Sequence, residues 1–586
     1  MQGEKQKRFF RYYMLFVGVL ALFSLVVRPG LQLGAKWDFF WHFLDVFIII
    51  SFFISALFRF FTSPNKSNFI KENKFEIAII FIFAMQFLIM FFFLRQPDIQ
   101  ETIKKIGIVS ITKIYIVFAQ LFIFLELLGQ LGQIHTRLTS LPLPPSVLFV
   151  GSFVVVITVG TVLLLLPGAT KNGISFINAL FTATSATCVT GLIVVPTGSY
   201  FTRYGHTVIM TLIQIGGLGL MTFATFAALI LKGELGIKER VVLGDILSFK
   251  IFSKVKSLIM TIVGFTLTIE LLGAVIIYIA TEEYPRSILT EGHIYFSIFH
   301  SISAFCNAGF SLWDENLLRF VSNPLGSLTI MTLIILGGIG FVVLADFWNF
   351  FKKPLRKKFL ATPKFTLHTK FVLLMTATLI IAGALMFYAT ERNGQLSHLS
   401  WSQRWIASLF QSVTPRTAGF NTLDTSALTQ PSKLLLSILM FIGASPGSTG
   451  GGIKTTTFGI LILLIIATLS GKAKMSIFRR SIPIRIAQQA AMVLFLALCI
   501  IAIGLFFLLL FEPEKTLMQL LFEQISAFGT VGLSTGITPD LSVGGKIVLI
   551  ITMLVGRIGP LTFLTAIWLK SSKTRIKYPD EELMIG

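Results

Sequence analysis

Ser185-Ala-Thr-Cys-Val-Thr-Gly191-Leu192 recurs three times in altered form, as Ser303-Ala-Phe-Cys-Asn-Ala-Gly309-Phe310, Ser412-Val-Thr-Pro-Arg-Thr-Ala-Gly419-Phe420 and Ser526-Ala-Phe-Gly-Thr-Val-Gly532-Leu533. The serine-to-glycine step is 6, 6, 7 and 6 residues, and the glycines stand 118, 110 and 113 residues apart. A second element follows each stretch: Ile215-Gly-Gly-Leu-Gly219, Leu336-Gly-Gly-Ile-Gly340, Ile442-Gly443 and Val555-Gly-Arg-Ile-Gly559. A two-part motif repeated at a near-constant period marks one structural unit used four times. Before each glycine lies an apolar stretch of ~12 residues, too short to cross a bilayer, set between two runs near the ~20 residues that a span requires. Each unit is therefore expected to be a span, a half-helix with a loop, and a second span.

The rest of the chain agrees with a membrane setting. Of 586 residues 54% are hydrophobic, 59 are Phe, and only 13% are charged, against about 25% in soluble domains; the mean hydropathy is +0.82. A soluble enzyme is excluded. Lys and Arg exceed Asp and Glu by 22, an excess that belongs on cytoplasmic loops rather than on a nucleic-acid surface. Residues 232–256, 352–370, 471–485 and 570–586 carry 22 Lys/Arg, whereas the four segments that hold the half-helices carry 10. The half-helix side is thus expected outside and both termini inside. Cys188, Cys306 and Cys499 fit neither a disulfide framework nor a zinc site. The first 27 residues are basic and then apolar, but Arg28-Pro29-Gly30 stands where a signal peptide would be cleaved, so they are expected to form the first span.

Apolar runs at roughly 10–27, 39–61, 76–94 and 112–128 form an N-terminal block within residues 1–139, and the linker Ser140-Leu-Pro-Leu-Pro-Pro-Ser146 follows. The repeats are expected at 145–231, 256–350, 369–470 and 485–572, with a cytoplasmic tail at 573–586. The expected fold is an all-α polytopic membrane protein: four span–pore-loop–span repeats around a central pore, preceded by an extra four-helix block.

Non-helical backbone at membrane depth is tolerated only where it is buried in protein or lines water. Glycine permits positive φ and lets carbonyls turn toward an axis, where a ring of them replaces a cation's hydration shell. A half-helix entering from outside aims its partially negative C-terminal end at the membrane centre, which also favours a cation. The expected selectivity filter is Val189, Thr190 and Gly191; Asn307, Ala308 and Gly309; Thr417, Ala418 and Gly419; Thr530, Val531 and Gly532. Asp314, Asp424 and Asp540 follow three of the loops and would enrich cations at an outer vestibule. The glycines of the second spans are read as allowing close helix packing, Cys188 and Cys306 as small buried residues, the scattered histidines as structural, and Arg416 as a brace for its loop.

The third repeat departs from its siblings. Gly443-Ala-Ser-Pro-Gly-Ser-Thr-Gly-Gly-Gly-Ile-Lys-Thr-Thr-Thr457 packs one Pro and five Gly into ten residues, so no continuous helix passes through it. Gly443, Ser445, Pro446, Gly447, Gly450, Gly451, Gly452 and Lys454 are expected to form a flexible gating segment. It is not a nucleotide-binding P-loop, because Ile453 separates Gly452 from Lys454 and no strand precedes it. Arg557, a cation where the sister spans carry glycine, is the second gating candidate.

With these loops, the Ser-Pro-Gly-Ser-Thr-Gly-Gly-Gly-Ile-Lys segment and Gly556-Arg-Ile-Gly-Pro560, residues 145–572 resemble the Trk/Ktr/HKT superfamily of cation transporters, membrane subunits of four span-loop-span repeats. The resemblance implies a potassium uptake protein of a bacterial plasma membrane, in which K+ is the transported ion and no cofactor or catalytic residue is needed. It implies filter carbonyls that select K+, a third-repeat loop that gates beneath them, and Arg557 facing the pore. It also implies a homodimer in lipid that rests on a cytoplasmic ring of nucleotide-binding regulatory subunits. Glycine in all four loops resembles K+-selective members; serine in the first loop goes with Na+, so a Na+ or mixed transporter of the same fold is the alternative. A symporter of another substrate would show inverted halves, and a membrane enzyme would need clustered titratable residues at its centre. The N-terminal block is a departure from the family's usual start.

Overall fold

The structure, a computed structural model, describes residues 145–219, 255–352 apart from 287 and 290, 365–472 and 474–567, together with scattered positions between 13 and 54. The spans expected at 76–94 and 112–128, most of the linker at 140–146, and the basic stretches at 232–254, 353–364 and 570–586 lie outside the described residues. From the start of the chain, Val17, Trp41, Leu44 and Ile48 are buried together, and the Tyr13 hydroxyl donates to Ser51 Oγ at 2.8 Å.

The described residues are mostly helical, and the same order of elements occurs in four segments. Segment 1 has α1 (Pro145–Leu165), the short α2 (Phe176–Thr187) and α3 (Arg203–Leu218). Segment 2 has α4 (Val255–Ala280), the short α5 (His293–Phe305), α6 (Pro324–Gly338) and α7 (Phe341–Lys352). Segment 3 has α8 (Leu367–Glu391), the short α9 (Trp401–Val413), α10 (Gln430–Phe441) and α11 (Thr455–Leu469). Segment 4 has α12 (Ile484–Phe511), the short α13 (Leu517–Gly529), α14 (Val543–Ile558) and α15 (Pro560–Ile567). The expectation of an all-helical chain misses one element: β1 (Met475–Ile477) pairs antiparallel with β2 (Arg480–Ile482). Their two-residue turn, Phe478-Arg479, has φ of 48° and 62°, as a type I′ hairpin requires.

Helix starts follow from local chemistry. The Thr516 hydroxyl accepts from Gln519 N at 3.4 Å while Gln519 Oε1 accepts from Thr516 N at 3.1 Å, a capping box that opens α13. Asn323 Oδ1 accepts from Gly326 N at 2.9 Å, with Pro324 in the first turn, to open α6. Acids at the ends of two long helices grip the starts of later ones. Glu391 Oε1 accepts from the N–H and hydroxyl of Thr429, both at 2.8 Å, and Glu512 Oε1 accepts from Ser542 N at 2.6 Å. A carboxylate is favourable there because a helix N-terminus carries partial positive charge.

Burial runs opposite to that of a soluble protein. The short helices and their loops form the interior, with Phe299, Phe305, Phe410, Phe522 and Phe528 buried. The long helices show apolar side chains outward, among them Phe495 at 66% and Leu271 at 66% exposure. Among the described residues four helices are long and apolar enough to cross a membrane, and up to six if each bent pair counts as one span. Those bends are a second departure. A break was expected only in segment 3, yet α6 and α7 meet at 97° and α14 and α15 at 102°. Gly340 (φ 96°) and Gly559 (φ 93°) lie in the left-handed region at the corners, which ends a helix as cleanly as a proline does.

Candidate functional site

Each short helix delivers the chain into the same backbone pattern. Val189, Asn307, Thr417 and Thr530 have φ of 57°, 61°, 75° and 50°, and two residues later Gly191, Gly309, Gly419 and Gly532 have φ of 88°, 70°, 75° and 95°. Left-handed geometry at a non-glycine residue costs about 1–2 kcal/mol and persists only where the surroundings enforce it. The enforcing contact is a hydroxyl residue at the end of the short helix. The Ser185 carbonyl accepts from Thr190 N at 2.7 Å, and its hydroxyl accepts from Gly191 N at 3.0 Å and donates to the Leu192 carbonyl at 2.7 Å. Ser303 bonds Ala308 N and the Phe310 carbonyl at 2.7 and 2.8 Å, and Ser526 bonds Val531 N and Gly532 N at 2.9 and 3.1 Å.

In segment 3 this anchor is Thr414, not the Ser412 that the motif alignment selects. The Thr414 carbonyl accepts from Ala418 N at 2.9 Å and its hydroxyl donates to the Phe420 carbonyl at 2.5 Å. Ser412 donates instead to the Ile380 carbonyl on α8 at 2.7 Å and packs against Gly383. Measured from the anchor, the third loop is one residue shorter than its siblings, five to Gly419 against six elsewhere. Arg416, the charge inside that loop, is buried and turns toward α8, where it donates to Thr376 Oγ1 at 3.3 Å.

The four loops meet in a closed circle. A Cβ on Gly191 would strike the Ala308 carbonyl oxygen, one on Gly309 would lie 2.7 Å from that of Ala418, one on Gly419 would strike that of Val531, and one on Gly532 that of Thr190. Glycine is thus required twice at each position, by φ and by the neighbour's carbonyl. Asn307 and Thr417 add a side-chain contact at 3.2 Å between the second and third loops.

Residues 442–454, the segment expected to gate, lie against this circle as a hydrogen-bonded loop. Ile442 and Ile453 form a parallel bridge. Ser445 N and Thr449 N donate to the carbonyls of Gly338 and Gly337 at 3.0 and 3.3 Å, and Phe341 N donates to the Gly447 carbonyl at 2.9 Å. Gly451 N donates to Thr530 Oγ1 at 3.1 Å, and Gly450 leaves no room for a side chain beside Thr417. Lys454 Nζ closes the loop on itself by donating to the Gly450 carbonyl at 2.6 Å, while Ser448 Oγ does so at the Ser445 carbonyl beside Pro446. Arg557 donates to the Thr449 carbonyl of this loop and to the Gly216 carbonyl of segment 1, and among the described residues no carboxylate pairs with it.

The second-span glycines divide into two kinds. Gly216, Gly337 and Gly556 press on the carbonyls of Thr187, Phe305 and Phe528 at the ends of their own short helices, the close packing expected of them. Gly219, Gly340 and Gly559 end their helices through positive φ. Cys188 and Cys306 are buried, and Cys306 Sγ fills the space that Gly217 leaves. His206 Nε2 binds the Thr197 carbonyl at 2.8 Å, a structural contact. Asp314, Asp424 and Asp540 are all exposed. Asp314 Oδ1 accepts from Ser199 N at 3.0 Å and Asp424 Oδ1 from Ser426 N at 2.9 Å. Sequence reasoning missed Thr414 and also Glu523, a buried acid that holds the chain beyond Gly532; its signal was a lone charge in an apolar short helix, one turn before Ser526.

Residues 114–576 match the TrkH family, described as cation transport protein. The Ktr system potassium uptake protein B of Bacillus subtilis is 44% identical over 76% of this chain and 97% of its own length. The potassium/sodium uptake protein NtpJ of Enterococcus hirae is 38% identical over 76% and 98%, and the Ktr system potassium uptake protein B of Vibrio alginolyticus 37% over 74% and 93%. Among solved structures, the potassium transporter TrkH from Vibrio parahaemolyticus shares the fold with a TM-score of 0.57 at 17% identity, over 96% of this chain and 98% of that one. Carrying the loops, the broken third segment and the arginine that the resemblance required, the chain belongs to the TrkH family of cation transport proteins, a membrane subunit of the Trk/Ktr/HKT superfamily.

Proposed function

We propose that this protein takes up K+ across the cell membrane through a channel-like pore, with the four loops as its selectivity filter. The observation that carries this is the closed circle of glycine–carbonyl contacts, since it sets four equivalent backbone segments around one axis, the arrangement that substitutes for a cation's water. In this reading Val189, Thr190, Gly191, Asn307, Ala308, Gly309, Thr417, Ala418, Gly419, Thr530, Val531 and Gly532 line the filter. The four repeats occupy 145–231, 256–350, 369–470 and 485–572, behind an N-terminal block at 1–139. The exposed Asp314, Asp424 and Asp540 form the outer vestibule, and both termini lie in the cytoplasm. The 442–454 loop with Arg557 is the gate beneath the filter.

A gate held by hydrogen bonds needs a ligand that favours its released state. We assign that role to a separate nucleotide-binding regulatory subunit docked on the basic loops, including Lys352, Lys353, Arg356, Lys357, Lys358 and the exposed Arg479 and Arg480, with the protein as a homodimer. A mixed K+/Na+ transporter is the second reading, favoured by the potassium/sodium name of the 38% identical relative; glycine in every loop supports K+. The deciding experiment is rubidium-86 uptake in potassium-requiring cells, competed with K+ and Na+. Competition by K+ alone supports the proposal, equal competition by both ions supports the mixed reading, and absence of uptake refutes both.

A further inference from the structure

One helical turn before the anchoring hydroxyl, the short helices carry Thr182, His300, Gln411 and Glu523. Glu523 is buried and accepts four hydrogen bonds: from Ser534 Oγ at 2.6 Å, Thr535 N at 2.9 Å, Thr535 Oγ1 at 3.3 Å and Thr538 Oγ1 at 2.8 Å. His300 is buried as well. Its Nδ1 lies 2.9 Å from the Phe296 carbonyl, which can only accept, so Nδ1 carries the proton and Nε2 is free to accept. Nε2 takes the Leu312 N–H at 3.4 Å and lies 3.1 Å from Ser311 Oγ.

Counted from the filter glycines, the bonded positions coincide. Ser311 and Leu312 are the second and third residues after Gly309, and Ser534 and Thr535 are the second and third after Gly532. A carboxylate and an imidazole, chemically unlike, thus make the same two bonds, to a hydroxyl and to the next backbone N–H. The other two segments lack this bracket. The Thr182 hydroxyl donates within its own helix to the Asn178 carbonyl at 2.8 Å, and neither polar atom of Gln411 has a partner among the described residues. Around the circle the loops follow in order one to four, so the two bracketed loops stand opposite each other and alternate with unbracketed ones.

We infer that Glu523 and His300 are positioning residues for ion selection, which fix the outer ends of the fourth and second loops, whereas the first and third have no such side-chain bracket from their short helices. The inference rests on the proposal that these loops form a filter. In the size-matching account of selectivity, a coordination shell discriminates between ions while its oxygens hold their places. Two opposed loops with both ends tied supply that rigidity across one diameter. Since the neutral tautomer of His300 makes the same bonds as Glu523, geometry rather than charge is the shared property.

The test is the rubidium-86 to sodium-22 uptake ratio in potassium-requiring cells, at matched amounts of protein in the membrane. Glu523→Ala and His300→Ala are expected to lower the ratio on the order of tenfold, the effect of losing a charged or buried hydrogen bond. Glu523→Gln and His300→Gln, which keep an acceptor for the Thr535 or Leu312 N–H, should stay within about threefold of the parent protein. Thr182→Ala and Gln411→Ala should leave the ratio unchanged. Gly532→Ser separates the two levels: if it blurs the ratio while both alanine variants keep it, the bracket is refuted and the filter stands. If Gly532→Ser also leaves the ratio intact, the filter proposal itself has failed. Glu523→Gln behaving like Glu523→Ala would assign the effect to charge and overturn the positioning role. Should Glu523→Ala not reach the membrane, His300→Ala and the pair Ser534→Ala with Thr538→Ala decide the matter in its place.

Discussion

Arg557→Ala is the substitution from which the gating proposal has most to lose. The guanidinium donates to Thr449 on the 442–454 loop and to Gly216 on α3. Only the first bond must end when the loop moves. A hydrogen bond from a charged group contributes about 1.5–3 kcal/mol, and a value near 2 kcal/mol corresponds to a factor of about 30 in the balance between docked and released loop. If the docked loop is the closed gate, purified Arg557→Ala in proteoliposomes without any partner should carry rubidium-86 faster, by up to about 30-fold where the released state starts out rare. Arg557→Lys separates two causes, because it keeps the positive charge but loses the planar fork that reaches both carbonyls. A gain in the lysine variant assigns the effect to the bond; a gain in alanine alone assigns it to relief of repulsion on the permeating ion. Coupling supplies the stricter check. In a protein that lacks residues 445–451 the Thr449 carbonyl is gone, so adding Arg557→Ala should change flux no further. Unchanged or lower flux in correctly inserted Arg557→Ala, or gains that simply multiply with the deletion, would refute the reasoning.

Three further outcomes are expected. Asp314→Asn, Asp424→Asn and Asp540→Asn together should raise the K+ concentration needed for half-maximal uptake without lowering the maximum, and the difference should shrink between 0.1 M and 1 M choline chloride as the screening length falls from about 10 Å to about 3 Å. Thr414→Ala should blur discrimination between rubidium and sodium, whereas Ser412→Ala, which loses one bond to α8, should cost only about 1 kcal/mol of stability, read as a modest fall in melting temperature in detergent. Gly559→Ala meets open space and should cost only the backbone strain of its positive φ, about 1–3 kcal/mol, in that melting assay, while Gly340→Ala also drives a methyl group to 2.6 Å from the Pro446 carbonyl and should alter flux.

The recurrence was legible because a glycine with both a positive φ and a carbonyl against its α-carbon has no substitute, so glycine stands at all four positions although the residues around them differ. Register within the third loop was not. Ser412 and Thr414 offer the same chemistry, and nothing in Val-Thr-Pro-Arg reveals that the shorter loop is anchored by the second hydroxyl. The bends at Gly340 and Gly559 were hidden for a similar reason: Leu-Gly-Gly-Ile-Gly reads as a packing motif, and only the backbone shows that its middle glycines pack while the last one turns. The brackets on Glu523 and His300 escaped because their partners lie in loops without periodicity. An unlike pair such as Glu and His cannot be aligned until the bonds they share are seen.

In the circle of loops, every glycine belongs to a separate codon of a single gene. An assembly of four identical subunits alters all four quarters with one nucleotide change, and its selectivity shifts in a single leap. If the circle is the filter proposed above, a substitution here touches one quarter and leaves three intact, so ion preference is open to gradual adjustment, with each loop tuned against its own neighbour. The shortened third loop and the alternation of bracketed and unbracketed quarters are differences that such an arrangement can accumulate and that a strictly symmetric assembly cannot hold.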